Sequence, residues 1–215
     1  MSTTTRWWWV RHAPVVGQGG RIYGQNDVDC DCSDGAAFRG LAAAMPEDAV
    51  WVTSNLSRTH RTAESIVEHL PDGTAPAPLV EPSLAEQHFG DWQGLTNAEL
   101  AERRDETWHR FWLAPVSERP PGGESFLELV DRVTATVERL TADHAGRDIV
   151  AVTHGGTIRA ALVLALGIAP ERALSFVIDN CSLTRLDRID GPPGSHAPEA
   201  EHTWRVVAVN AAPGI

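Results

Sequence analysis

Three short stretches, 7–10, 49–53 and 149–153, are almost unbroken in apolar residues, and each stops at a polar turn. Strands that stay apolar without alternating are covered on both faces, as in a mainly parallel sheet sandwiched between helices. Helical patterns fall at 34–45, 58–69, 124–145 and 156–167. Strand and helix in alternation predict an α/β fold, a three-layer α/β/α sandwich. The runs 174–178, 182–189 and 204–209 predict further strands, one of them an antiparallel edge. The stretch 86–121 reads differently, with short helical pieces at 97–104 and 106–112 and then Pro120-Pro121-Gly122-Gly123. It is expected to be a helical lid inserted in one domain spanning 1–215. A surface loop is expected at 191–194, Gly-Pro-Pro-Gly.

In open α/β sheets, ligands bind beyond the carboxyl ends of the strands. The first run ends in Val10-Arg11-His12-Ala13-Pro14. The second continues into Ser54-Asn55-Leu56-Ser57-Arg58, which places Arg58 in the first turn of a helix. The helix dipole disfavours a cation there, a bound anion would offset this, and the guanidinium fork suits phosphate oxygens. The third run delivers His154, followed by Gly155-Gly156 at a helix start. Backbone N–H groups at such a start point at an anion, and glycine permits close approach. A fourth piece, Leu84-Ala85-Glu86-Gln87-His88-Phe89-Gly90, puts the Glu86 carboxyl at the start of the lid. Near a phosphate, burial and negative charge would favour its protonated form and suit a general acid. The plainer alternative for each piece is a strand-end or loop side chain facing water.

The overall charge narrows the partner. Eighteen basic against 29 acidic residues give a net charge of −11, which argues against nucleic acid and leaves room for a small phosphorylated ligand in a local positive pocket. No signal-peptide core and no membrane-length apolar run are visible, so a cytoplasmic protein without a membrane partner is expected. Three cysteines, Cys30, Cys32 and Cys181, do not suit a disulfide framework. Cys30-x-Cys32 could bind metal or form a redox pair, and reduced thiols in a loop are the simpler reading.

Together, Arg11-His12, Ser54-x-x-x-Arg58-Thr59-x-x-Thr62-Ala63, Glu86 before Phe89-Gly90-x-Trp92-x-Gly94, Gly123-Glu124-Ser125 and Thr153-His154-Gly155-Gly156 resemble the histidine phosphatase (phosphoglycerate-mutase-like) superfamily. The order and spacing match to about residue 190. The resemblance implies a phosphate pocket of Arg11, Gln18, Arg58, His154 and Gly155. It implies His12 as nucleophile through a phosphohistidine and Glu86 as proton donor and acceptor. It also implies a phosphomonoesterase of the acid-type histidine phosphatase kind, with no metal and no cofactor. The first motif departs from the family's usual glycine with Ala13-Pro14, and Gln18 stands where the family often has asparagine. A shorter insertion than the mutases carry resembles the phosphatase branch, including α-ribazole phosphatases and broad-specificity phosphatases. Mutase-type phosphoryl transfer and a non-catalytic phospho-ligand module are the alternatives. The expected partner is a small phosphate ester, and a homodimer is the oligomer to look for. Trp92, Trp108 and Trp112 fall in the expected lid, where they could stack on a leaving group or simply pack the lid.

Overall fold

A computed structural model describes residues 2–103, 113–191 and 202–214. The chain runs β1 (Thr3–Arg11), α1 (Gly35–Ala44), β2 (Val50–Thr53), α2 (Ser57–Val67), β3 (Leu79–Val80), α3 (Asn97–Glu102), α4 (Phe126–Asp143), β4 (Asp148–Thr153), α5 (Gly155–Leu166), α6 (Pro170–Ala173), β5 (Leu183–Asp190) and β6 (His202–Ala211). The six strands form one sheet in the order β3-β2-β4-β1-β5-β6. The first four are mutually parallel, with Trp7 opposite Ile149 and Arg11 opposite Thr153.

The tryptophan run shows why β1 lies deep in the sheet. Successive side chains of a strand point to opposite faces. Trp7 and Trp9 go to one face, fully buried, their rings stacked at 4.8 Å. They join Val130, Val133 and Val137 of α4 and Ile158 of α5. Trp8 goes to the other face, where its indole donates to Asp148 at 2.8 Å and lies under the Arg185 guanidinium. Val10, on that same face, packs with Phe38 and Leu41 of α1 and Ile66 of α2. Two cores on two sheet faces make the three layers expected from unalternated strands.

Helix ends follow local chemistry. Asp34 caps α1 by accepting from Ala36 and Ala37. Ser125 and Glu128 form a reciprocal capping box at the start of α4. Thr96 and Glu99 do the same for α3. Gly167, with φ 59°, closes α5 in a left-handed turn.

The structure corrects one expectation. The run 174–178 is not a strand. It follows the short α6 as turns, with Ser175 N–H on Arg172 O and Phe176 N–H on Ala173 O. Leu174 and Ile178 are buried from those turns, so two apolar anchors four apart mimicked a strand. The antiparallel pairing lies at one edge of the sheet, as expected. β5 runs antiparallel to β1 and to β6, and β6 is the outer strand. In the stretch 86–121, Phe89 and Leu100 pack with Ile22 in a small third core, and Trp92 lies against it. Trp92 therefore packs the insertion. Trp108, Trp112, Arg104, the helical piece at 106–112 and loop residues 192–194 lie outside the described residues. No described helix is long and apolar enough to cross a membrane.

Candidate active site

The carboxyl ends of β1, β2 and β4 bring the expected residues together. β1 and β4 pair in register to their last residues, so Arg11 and Thr153 are neighbours, and His12 N–H donates to Thr153 O at 2.9 Å. His12 is fully buried. Its Nδ1 lies 2.7 Å from the carbonyl oxygen of Ala13. A carbonyl only accepts, so Nδ1 carries the hydrogen and Nε2 keeps its lone pair. That Nε2 has no hydrogen-bond partner among the described residues. Burial, then the charge of Arg58, pulls the His12 pKa down to about 3, against the hydrogen bond to Ala13, with Arg11 adding to the depression. The imidazole is therefore neutral around pH 7.

Both sides of the loop that carries His12 are fixed. Thr62 Oγ1 accepts from Ala13 N–H at 2.9 Å and donates to Arg58 O at 2.7 Å, tying that loop to α2. Asn180 Nδ2 donates to His12 O at 2.8 Å, and Arg11 Nη1 donates to Ile178 O at 2.6 Å. The turns after α6, which a strand reading would have missed, thus hold the backbone and guanidinium of the first motif.

Arg58 is fully buried in the first turn of α2. Its Nη1 donates to Asn26 O at 2.9 Å and Nη2 to Gly24 O at 2.6 Å, while the guanidinium lies 5.0 Å from the centre of the Tyr23 ring. Burial lowers its pKa, and the Glu86 charge works against that. His154, the residue before α5, is also fully buried, with its ring centre 5.2 Å from that of His12. Burial and then Arg58 hold its pKa well below the ordinary histidine value. Its Nε2 meets the Ser54 hydroxyl at 2.8 Å, and its Nδ1 has no partner among the described residues.

Glu86 reaches the start of α5. Its Oε1 accepts from Gly156 N–H at 3.1 Å and from Gln87 N–H at 2.9 Å, while Oε2 lies at 3.3 Å from Gly156 N. A Cβ on Gly156 would sit 2.2 Å from Oε1, so a side chain there would push the Glu86 carboxyl aside. The Glu86 backbone is strapped from behind. Its carbonyl accepts from Gln25 at 2.8 Å and from Arg132 Nη2 at 3.0 Å. Arg132 also forks onto Glu124 at 2.9 and 2.7 Å and donates to Ser83 O at 2.7 Å. Glu124 in turn accepts from His88 N–H at 2.9 Å. The Gly122-Gly123-Glu124 motif is therefore the seat of the Glu86 loop. Gly90 and Gly123 let the two backbones meet, because a Cβ on Gly123 would lie 2.3 Å from His88 O.

Of the residues singled out in the sequence, Arg11, His12, Arg58, Glu86, His154 and Gly155 converge on this edge of the sheet. Gln18 is used differently: its amide donates to Val16 O at 3.3 Å within its own loop. Ser54, Asn180 and Arg132 were not singled out, although Ser54 stood inside the quoted motif. A lone serine, asparagine or helical arginine carries no chemistry until its neighbours are known. Among the described residues, no group of three or more His, Cys, Asp or Glu side chains is placed to hold a metal ion. Cys30 and Cys32 are free thiols with sulfurs 3.6 Å apart. Burial pushes the Cys30 thiol up to about 12 and the Cys181 thiol up to about 11.

The model of the histidine phosphatase superfamily (branch 1) matches residues 7–197. A bifunctional protein of Mycobacterium tuberculosis is 36% identical over 148 residues, 69% of this chain. The chain spans 39% of the length of that relative. Glucosyl-3-phosphoglycerate phosphatase of M. tuberculosis is 32% identical over 219 residues, covering 90% of this chain and 88% of the relative. The native structure of the mycobacterial phosphatase superposes with a TM-score of 0.77 at 25% identity, over 99% of this chain and all of that one. A 2,3-bisphosphoglycerate-dependent phosphoglycerate mutase of Gloeobacter violaceus is 33% identical over 135 residues, 62% of this chain and 61% of the mutase.

Proposed function

Because the chain belongs to the histidine phosphatase superfamily, branch 1, we propose that it hydrolyses a small phosphate monoester by way of a phosphohistidine on His12. The observation that carries this reading is the state of His12: buried, neutral, with Nδ1 committed to Ala13 O and Nε2 unpartnered among the described residues. A histidine in that state offers a lone pair and need not first lose a proton.

In the proposed reaction Nε2 attacks phosphorus in line, forming the N–P bond as the ester P–O bond breaks. Arg11, Arg58 and His154 donate to the three outer oxygens, where charge is spread in the transition state. A phosphate oxygen only accepts, so a neutral His154 facing it needs its hydrogen on Nδ1. Ser54 then donates to Nε2. It can, because its oxygen takes Leu56 N–H at 3.2 Å and leaves its own hydrogen for the imidazole. Glu86 gives a proton to the departing alkoxide. The proton is assigned to Oε2, the oxygen farther from the N–H groups. Glu86 then takes a proton from water as that water attacks phosphorus, the N–P bond breaks and inorganic phosphate leaves. The guanidinium groups supply the charge neutralisation, and no step is routed through a metal.

The relatives include a glucosyl-3-phosphoglycerate phosphatase and a phosphoglycerate mutase, which supports a small phosphorylated metabolite as substrate. Turnover of p-nitrophenyl phosphate in the presence of EDTA tests the hydrolase reading. His12→Ala should lower kcat/KM by roughly a thousandfold or more. With 3-phosphoglycerate, release of inorganic phosphate is expected. Conversion to 2-phosphoglycerate with little phosphate release would instead establish a mutase.

A further inference from the structure

The cysteines take no part in the reaction just described, yet the fold gathers them beside the loop that carries His12. Cys30 and Cys181 are buried in the core under α1 and α2, and Cys32 packs against that core half-exposed. The Cys30 and Cys32 sulfurs lie 3.6 Å apart, with only Asp31 between the two residues in the chain. Residues 29–31 run beside 14–16. Val15 bridges Cys30, Asp31 N–H donates to Pro14 O at 2.7 Å, and Val16 N–H donates to Asp29 O at 3.1 Å. The Cys30 thiol donates to Arg58 O at 3.7 Å, the same carbonyl that Thr62 ties to Ala13. Cys30 therefore stands where the His12 loop meets the helix of Arg58.

Burial makes the two sulfurs unequal. Cys30 is only 3% exposed. Its thiol is pushed up to about 12, by burial first and then by the hydrogen bond and charge of Cys32. Cys32 is the thiol that a dissolved reagent meets first. A group held at contact distance reacts as if highly concentrated, so a buried thiol of low reactivity still attacks a sulfur beside it. Once Cys32 is capped, its charge no longer opposes ionisation of Cys30. One open and one buried thiol in contact are thus arranged as an entry sulfur and a resolving sulfur.

We propose that Cys30 and Cys32 are a modification site, oxidised by a low-molecular-weight disulfide to a reversible Cys30–Cys32 disulfide that displaces the His12 loop and Arg58. First, the Cys32 thiolate attacks one sulfur of the reagent. The reagent's S–S bond breaks, a mixed disulfide forms, and one small thiolate leaves and takes up a proton. Then Cys30 attacks Cys32 Sγ. The mixed S–S bond breaks, and the second small thiolate leaves with the proton from Cys30. The two protein thiols are oxidised, and the reagent is reduced to two thiols. The oxidised Cys30 has no hydrogen left to donate to Arg58 O, and closing the sulfurs from 3.6 Å pulls residues 29–31 against 14–16. The effect on turnover rests on the phosphatase reading; the effect on phosphate binding does not.

Glutathione disulfide is the probe. After incubation the remaining thiols are alkylated in denaturant and the protein is mapped by mass spectrometry. The expected product has lost two hydrogens, links Cys30 to Cys32 and carries the alkyl label on Cys181 alone. Its kcat/KM for p-nitrophenyl phosphate should fall roughly tenfold, and dithiothreitol should restore it. Calorimetric titration with inorganic phosphate should show weakened binding in the oxidised protein. Cys32→Ser should keep the activity of the reduced protein and lose the response to the oxidant. Cys30→Ser, in which Cys32 has only the mixed disulfide open to it, should lose the response too. A Cys30–Cys32 disulfide with full turnover and full phosphate affinity overturns the proposal. So does a link from Cys32 to Cys181, inhibition that persists in Cys30→Ser, or protein in which Cys30 and Cys32 both stay open to alkylation. Absence of any p-nitrophenyl phosphate turnover in the reduced protein would count against the phosphatase reading alone.

Discussion

His12 and His154 are buried as neutral bases, and that has a cost in acid. In the unfolded chain a histidine protonates near pH 6.5, whereas folded His12 resists protonation until about pH 3. The unfolded state therefore binds the extra proton between those values. The contribution of His12 is fully present above pH 6.5 and is lost as the pH falls toward 3. His154, shifted in the same direction, adds to the loss. The melting temperature should fall on acidification through this window, and His12→Gln should flatten the fall; an unchanged slope in that variant would contradict the burial of a neutral imidazole. Ser54 is the residue whose role the sequence hid most completely. Ser54→Ala removes the donor that sets the His154 tautomer, and kcat/KM for p-nitrophenyl phosphate should drop about tenfold while Ser54→Thr keeps most of it. Steady-state kinetics on the two variants separates a hydroxyl requirement from a packing one. Arg11, His12 and His154 could be read from sequence because a charged or titratable residue at the end of a buried strand is unusual, and Arg58 because a cation in the first turn of a helix calls for an anion. Ser54 and Asn180 could not, since each acts through a partner distant in the chain.

At the level of elements, the strands were legible because β1, β2 and β4 are covered on both faces and their sequences do not alternate. The exposed two-residue β3 gave no such signal, and Leu174 with Ile178 gave a false one, because two buried positions four apart fit a turn as well as a strand. The sequence motif around Glu124 was legible as a motif, yet its purpose appears only in the contact of α4 with the Glu86 loop. Arg132 joins the two by gripping Glu124, Ser83 O and Glu86 O together. Arg132→Leu leaves the Glu124 carboxylate unpaired at a half-buried position and should destabilise the protein by about 2–3 kcal/mol, read from a denaturant midpoint. It should also lower kcat, since the Glu86 carbonyl loses a donor. A variant with reduced stability and full kcat would mean that the strap supports only the fold.

The whole molecule works as a plate with its chemistry along one rim. The sheet separates two apolar cores, and the parallel register of β1 with β4 carries Arg11, His12 and His154 to one height. The helix starts of α2 and α5 bring Arg58 and the Gly155-Gly156 turn to the same rim. A rim that gathers this much positive charge should be stabilised when an anion binds only the folded form. Inorganic phosphate at a hundred times its dissociation constant should add about 2.7 kcal/mol, seen as a rise in melting temperature that Arg58→Ala abolishes. The pocket's reading as a catalytic one comes down to whether His12 carries the phosphoryl group. The direct measurement is acid-free, rapid quenching of the protein with a phosphate-ester substrate, followed by mapping of the modified residue by mass spectrometry. Acid-labile, base-stable phosphate on His12 Nε2, absent in His12→Ala, is the expected result. Turnover with no phosphorylated histidine at any quench time, or full turnover by His12→Ala, would contradict it.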